Sequence, residues 1–389
     1  IDVETDQGVT GRAYIFAYSK LTLRPLVHLI EEIGRDLVGK PIAPVELMRA
    51  MDAKFRLLGW QGLVGMAVSG LDMAYWDALG QCASRPLAEL LGGAPQPVKA
   101  YDSYGVVDPV ADERALRRSL EQGFRGIKIK GGDGDAANDE RMVKGVRALL
   151  GPDVALMIDF NQSLDPAEAT RRIARLAPYD LHWIEEPVPQ ENLSGHARVR
   201  ETSPVPIQAG ENWWFPRGFS EAIAAGASDF IMPDLMKCGG ITGWMRIAGQ
   251  AEAASIPQSS QLFAEASAHV LAVTPTAHWL EFLDFAGAIL ARPAEIVDGT
   301  LTARGPGLGL EAQVHLDESD RLATLGKPCN DHAGGNETGL TAQEIETFMA
   351  AKIKRAGAGA PRCYPMPRKS DSPALLNTLG KGEGEARYL

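Results

Sequence analysis

Apolar residues recur three and four apart through the first quarter of the chain. Leu26, Leu29, Ile30 and Ile33 fall on one helical face, and this spacing predicts helices over 21–37, 44–58 and 63–91. Gly39, Gly59 and the Gly92-Gly93 pair stand where such helices stop. A short alternating run at 12–18 predicts one strand ahead of them. Beyond residue 98 the period changes. Short apolar runs at 98–103, 126–130, 155–159, 181–185, 206–211, 230–234, 256–261 and 279–284 are separated by helical segments. Such alternation predicts a parallel sheet, and eight βα units over roughly 200 residues predict an α/β fold closed as a (β/α)8 TIM barrel.

The pattern divides the chain into a first domain over 1–98, a barrel over 99–290, and a return segment over 291–326 expected to pack back on the first domain. Residues 327–389 form an atypical tail. A capping box from Thr341 to Glu344 opens one amphipathic helix to about residue 356, and the remainder reads as flexible.

Composition narrows the function classes. With 389 residues, 45% hydrophobic and 23% charged, the chain is globular and long enough for a large core. Lys and Arg number 39 against 50 Asp and Glu, a net charge of −11, and no basic run is interleaved with aromatics, so a nucleic-acid partner is not expected. No apolar stretch approaches the roughly 18 residues of a membrane span. Four widely spaced cysteines without Cys-x-x-Cys make poor zinc or disulfide arithmetic and suggest a reducing, cytoplasmic setting.

Barrel chemistry gathers at the C-terminal ends of the strands. Read in register, those ends carry Lys128 and Lys130, Asp159, Glu185, Glu211, Asp234, Gln261 and Glu281, each about one βα unit from the next. Asp159, Glu185 and Glu211 come from three adjacent strands, the geometry for three carboxylate oxygens around one hard cation. An all-oxygen set favours Mg2+ over zinc. Any one of these acids alone is equally well a solvated strand end or a helix N-cap, and it is their succession that points to a metal. Glu186 is expected to face away, because neighbours on a strand point to opposite sides. Lys128 and Lys130, two apart, share a face and are expected to enter the mouth together. Each should lower the other's pKa and leave one neutral enough to act as a base. A pair of surface lysines on a sheet edge would mean little, but strands of a closed barrel have no free edge.

These residues stand in an ordered set of motifs. It comprises Ser69-Gly-Leu-Asp-Met-Ala-Tyr-Trp-Asp77, Ala100-Tyr-Asp-Ser103, Lys128-Ile-Lys130, Asp159-Phe-Asn161-Gln, Trp183-Ile-Glu185-Glu-Pro, Gly210-Glu211-Asn-Trp, Pro233-Asp234-Leu-Met-Lys237-Cys-Gly-Gly and Ser267-Ala-His269. By this set the chain resembles the mandelate racemase subgroup of the enolase superfamily, from about residue 8 to residue 309. The resemblance implies an α+β capping domain over a modified barrel. It also implies Mg2+ at Asp159, Glu185 and Glu211 and removal of the proton α to a substrate carboxylate. Lys130 is then the base, Lys128 contacts the carboxylate, and Glu281 is the acid hydrogen-bonded to the developing enediolate. Ser103 is implied as a further carboxylate contact, Asn161 as a hydroxyl contact, and a homo-oligomer as the assembly. The family's first strands and mobile substrate-covering loop look missing from the start of the chain.

In racemases of the subgroup, Asp234 orients a histidine from strand seven that serves the opposite substrate face. Gln261 stands in that histidine's place here. A Gln amide accepts no proton at neutral pH, so one-face chemistry on a small 2-hydroxy acid is expected, as racemase or acid-sugar dehydratase. His269 lies in the next helix and His278 on the other face of strand eight, so neither replaces it. Lys237 reads as structural, and Tyr14 and Tyr18 as candidate apolar walls or core. The competing class is a metal- and carboxylate-binding protein without turnover, which α-proton exchange with solvent separates from an enzyme.

Overall fold

The computed structural model describes residues 1–132 and 134–311. The tail, with its expected helix, and the return segment beyond 311 lie outside them. Residues 1–12, where no strand pair was expected, form an antiparallel hairpin of β1 (Asp2–Glu4) and β2 (Thr10–Arg12). The strand expected over 12–18 is therefore mostly absent. Residues 13–17 keep its alternation, with Ala13, Ile15 and Ala17 buried, but they belong to no ladder.

Three long helices complete the cap: α1 (Lys20–Leu37), α2 (Pro44–Phe55) and α3 (Leu63–Ala83). Burial right around α3 marks it as the central element, as expected of a helix apolar on all sides. Gly70 permits a close approach to it, since a Cβ there would meet Ile1 Cδ1 at 2.5 Å. The helix expected to run to residue 91 ends earlier. Ser84 turns left-handed, Pro86 follows, and a short α4 (Leu87–Leu90) resumes.

The barrel runs β3 (Pro97–Ser103), α5 (Glu113–Glu121), β4 (Gly126–Lys130), α6 (Ala136–Leu150), β5 (Ala155–Asp159), α7 (Pro166–Leu176), β6 (Leu181–Glu185), α8 (Leu193–Thr202), β7 (Ile207–Ala209), α9 (Phe215–Ala225), β8 (Phe230–Ile231), α10 (Gly240–Ala254), α11 (Ala264–Leu271) and β9 (Leu280–Phe282). Side chains of Asp135, Asp165 and Asn192 accept backbone N–H groups at the starts of α6, α7 and α8, which is why these loops turn into helices where they do. Strands β3 to β8 pair in chain order, in parallel, and β9 pairs parallel with β3. The seventh position, expected as a strand over 256–261, is reduced to bridges: Gln258 to Ile231 and Ala277, and Gln261 to Asp234. Pro257 has no N–H for a ladder there. A final strand, β10 (Thr300–Thr302), lies antiparallel on β3.

Two buried aspartates of α3 tie it to other parts of the chain, Asp72 to α10 of the barrel and Asp77 to Arg12 and Leu308. Asp72 accepts the hydroxyl of Thr242 at 2.6 Å and its N–H at 3.0 Å, while Asp77 accepts the N–H groups of Arg12 at 2.7 Å and Leu308 at 2.6 Å. Gly307 is what allows the chain to lie against α3 here: φ is +64° and a Cβ would fall 2.1 Å from Asp77 Oδ1. Burial lifts the Asp72 carboxyl to about 7 and that of Asp77 to about 6, against the hydrogen bonds they accept. Cys238 is a buried free thiol, whereas Cys82 is disulfide-bonded, contrary to the expectation of unpaired cysteines. Among the described residues, no helix is long and apolar enough to cross a membrane.

Candidate active site

Lys130, Asp159 and Glu185 are aligned across β4, β5 and β6, Lys130 opposite Asp159 and Asp159 opposite Glu185. Glu211 follows the end of β7. One carboxylate oxygen from each of Asp159, Glu185 and Glu211 lies within 4.8 Å of the others, all three residues being buried. Glu185 Oε2 accepts from the indole of Trp183 at 3.0 Å and the amide of Gln208 at 3.2 Å. Asp159 Oδ1 accepts the N–H of Asn161 at 2.7 Å, and its buried Oδ2 accepts no hydrogen bond. Burial and then neighbouring carboxylates push Glu185 and Glu211 upward, Glu211 to about 7. An orphaned carboxylate oxygen in an all-oxygen set fits a hard divalent cation, whose charge relieves that repulsion.

The two lysines do share a face, but they differ in kind. Lys128 is buried, with Nζ 2.5 Å from Glu185 Oε1, 2.7 Å from Glu281 Oε1 and 4.0 Å from Asp159 Oδ2. Burial disfavours its charge, yet these acids outweigh burial and hold its pKa above the ordinary lysine value. The expectation of two lysines depressing one another thus fails for Lys128, because carboxylates surround it. Lys130 is 35% exposed, donates to Asn161 Oδ1 at 2.7 Å and stands 4.0 Å from Asp159 Oδ2.

Glu281 is held below the usual carboxylate range. Burial alone would raise it, but the Lys128 ammonium, the Leu262 N–H at 3.0 Å and the Ser103 hydroxyl at 2.8 Å outweigh that cost. Glu281 thus stands as a buried carboxylate whose nearest cation is the Lys128 ammonium. Ser103 commits its own proton to Glu281. Asp234 is fully buried, accepts the Met236 N–H at 2.6 Å through Oδ1, and is raised to about 6 by burial against the pull of Lys237. Gln261 pairs with it by a parallel bridge.

Glu186 was expected to face away, and it does not. Its φ of +38° breaks the strand alternation beyond β6. Its buried carboxylate accepts from Asn212 Nδ2 at 2.7 Å, and it is raised first by burial and then by Glu211 and Asp159. Asn212 was missed by reading strand ends alone, although it directly follows Glu211. Its Oδ1 accepts from Lys237 Nζ at 2.6 Å, and Lys237 lies 4.7 Å from the ring of Tyr18 in the cap. Tyr14 stacks on Phe263 with centroids 5.2 Å apart and donates to Glu265 at 2.5 Å. His269 accepts the Ala88 N–H at 3.2 Å, and His278 packs with His182, Trp183 and Phe230, so both histidines have packing roles.

Comparison with known proteins agrees with this geometry. Residues 1–92 match the model of the mandelate racemase / muconate lactonizing enzyme N-terminal domain, and residues 111–316 match that of the enolase C-terminal domain-like family. The chain is 32% identical to D-galactarolactone cycloisomerase of Agrobacterium fabrum over 80% of its own length and 88% of that protein. Among solved structures, an enolase from Bradyrhizobium complexed with magnesium and mandelic acid is 74% identical, with a TM-score of 0.80 over 80% of this chain and 87% of that one. L-talarate dehydratase from Polaromonas, complexed with Mg and L-glucarate, is 32% identical with a TM-score of 0.73 over 80% and 89%.

Proposed function

Because the chain belongs to the mandelate racemase / muconate lactonizing enzyme family of the enolase superfamily, we propose that it removes the proton α to the carboxylate of a 2-hydroxy acid, with Lys130 as base and with Asp159, Glu185 and Glu211 holding Mg2+. The observation that carries this reading is the contrast between the two lysines. Lys128 is locked among carboxylates, whereas Lys130 reaches the mouth half-exposed beside the orphaned Asp159 Oδ2.

Bound Mg2+ would supply the positive charge that stabilises a dianionic enediolate. Lys130, when neutral, takes the α-proton on its nitrogen lone pair, and the C–H electrons pass into the enediolate. Lys128 has three N–H donors and spends two on Glu185 and Glu281, which leaves one for the substrate carboxylate. Ser103 orients Glu281. Asn161, whose oxygen is engaged by Lys130, keeps its NH2 for a substrate hydroxyl.

Gln261 confines proton transfer to the Lys130 face. Racemisation needs a proton removed on one face and delivered on the other, and an amide beside Asp234 does not carry it. Dehydration of a 2,3-dihydroxy acid has no such need. Lys130 takes the α-proton, the C3–O bond breaks as the double bond forms, and the Lys130 ammonium returns a proton to the departing oxygen, which leaves as water. The named relatives, a cycloisomerase and a dehydratase of acid sugars, favour this branch. Incubating hydroxy acids and acid sugars with enzyme and Mg2+ in D2O tests it. The expected result is α-deuterium incorporation or dehydration from one configuration at C2. No exchange with any member of the panel would replace this reading with that of a binding protein.

A further inference from the structure

Asn212 is a hydrogen-bonding switch whose setting is fixed by one contact. Its Oδ1 only accepts and its Nδ2 only donates, and a lysine ammonium has only donors. With Lys237 Nζ 2.6 Å from Oδ1, the amide must turn its NH2 toward Glu186 Oε2, at 2.7 Å, and Glu211 Oε1, at 3.1 Å. Those two carboxylates repel one another, and Glu186 Oε1 is buried without a partner. Turned the other way, the amide would present oxygen to both. Lys237 is only 4% exposed and leaves the loop after β8, where its N–H caps the Asp234 carbonyl at 3.0 Å. Its outer side lies against the Tyr18 ring of the cap.

We infer that Lys237 is a positioning residue: through Asn212 it sets the orientation of the Glu211 carboxylate, and Tyr18 seats it, so that docking of the cap and affinity for Mg2+ are linked. The inference rests on the reading of Asp159, Glu185 and Glu211 as the metal set. Removing a partner that orients a metal ligand typically costs roughly 10- to 100-fold in metal affinity. The link runs both ways, as any coupling between two binding equilibria must.

Calorimetric titration of the full chain with MgCl2 alone tests it without recourse to turnover. Lys237→Met is expected to raise the Mg2+ dissociation constant by about 10- to 100-fold. Lys237→Arg, which still donates to Asn212 Oδ1, should recover most of that loss. Tyr18→Phe keeps the ring and should bind as the parent does, whereas Tyr18→Leu should weaken binding a few-fold. If the parent chain itself binds no Mg2+, the metal reading fails. If the parent binds and Lys237→Met binds equally well, or merely melts earlier at unchanged affinity, the relay is overturned while the metal reading stands. Should Lys237→Met not fold, Tyr18→Leu and Asn212→Ser decide the matter, and unchanged affinity in both overturns the proposal.

Discussion

Asp234 and Gln261 face one another across a parallel bridge between neighbouring strand ends, yet neither Asp234 Oδ2 nor Gln261 Oε1 has a hydrogen-bond partner. A glutamine amide can donate an N–H but takes up no proton at neutral pH, whereas an imidazole can donate to the carboxylate and also carry a proton. Gln261→His is therefore expected to rebuild a carboxylate-histidine pair and to raise exchange of the second substrate enantiomer, on the order of 10²- to 10⁴-fold. Deuterium incorporation followed separately for each enantiomer checks it. Efficient interconversion of both enantiomers by the parent enzyme would contradict one-face chemistry.

The two lysines should respond oppositely to truncation. Lys130→Ala is expected to lower α-proton exchange by at least about 10²-fold with little change in stability, because its ammonium is partly solvated. Lys128→Ala leaves Glu185 and Glu281 buried around a missing cation, a loss on the order of 3–5 kcal/mol in the metal-free protein. Denaturant unfolding of both variants, run beside the exchange assay, separates the cases.

Removing one metal oxygen should show without any substrate. Asp159→Asn replaces the carboxylate that carries the orphaned oxygen by a neutral amide, so Mg2+ affinity is expected to fall at least about 10-fold. Chelation of the parent should abolish turnover, and MgCl2 should restore it. Activity that survives exhaustive chelation would remove the metal from the scheme.

The Asp72 carboxyl makes a pH-dependent contribution whose sign follows from its burial. Its folded pKa of about 7 lies above the unfolded value of 3.8, so the folded state holds a proton that the unfolded state has already lost between those limits. Stability should fall as pH rises from about 4 to about 7, by up to about 1.4 kcal/mol per pH unit from this group. Asp72→Asn should flatten that part of the profile relative to the parent in denaturant melts at successive pH values.

The strand-end acids were legible because a barrel repeats: one βα unit returns the chain to the same mouth, and side-chain parity then selects Lys128, Lys130, Asp159 and Glu185. Parity failed where the backbone leaves the strand region. At Glu186, φ of +38° puts a second carboxylate beside Glu211, and nothing in Ile-Glu-Glu-Pro announces that turn. The pKa expectation for Lys128 failed for another reason: Glu281 lies 153 residues further on, and its distance from Lys128 is set by β9 closing onto β3. The run at 12–18 carried strand alternation, but most of it, like the segment at 256–261, lacks ladder partners, and pairing is a property of two segments.

Asp77 joins residues that the chain holds far apart, taking the N–H of Arg12 on one oxygen and that of Leu308 on the other. For anyone building chimeras within this family, the unit of exchange is then not the first 92 residues. A transplanted cap needs a compatible stretch from about residue 304 to residue 309, including the Gly307 that fits under the carboxylate. Without it, the incoming helix would bury a carboxylate with half its donors missing.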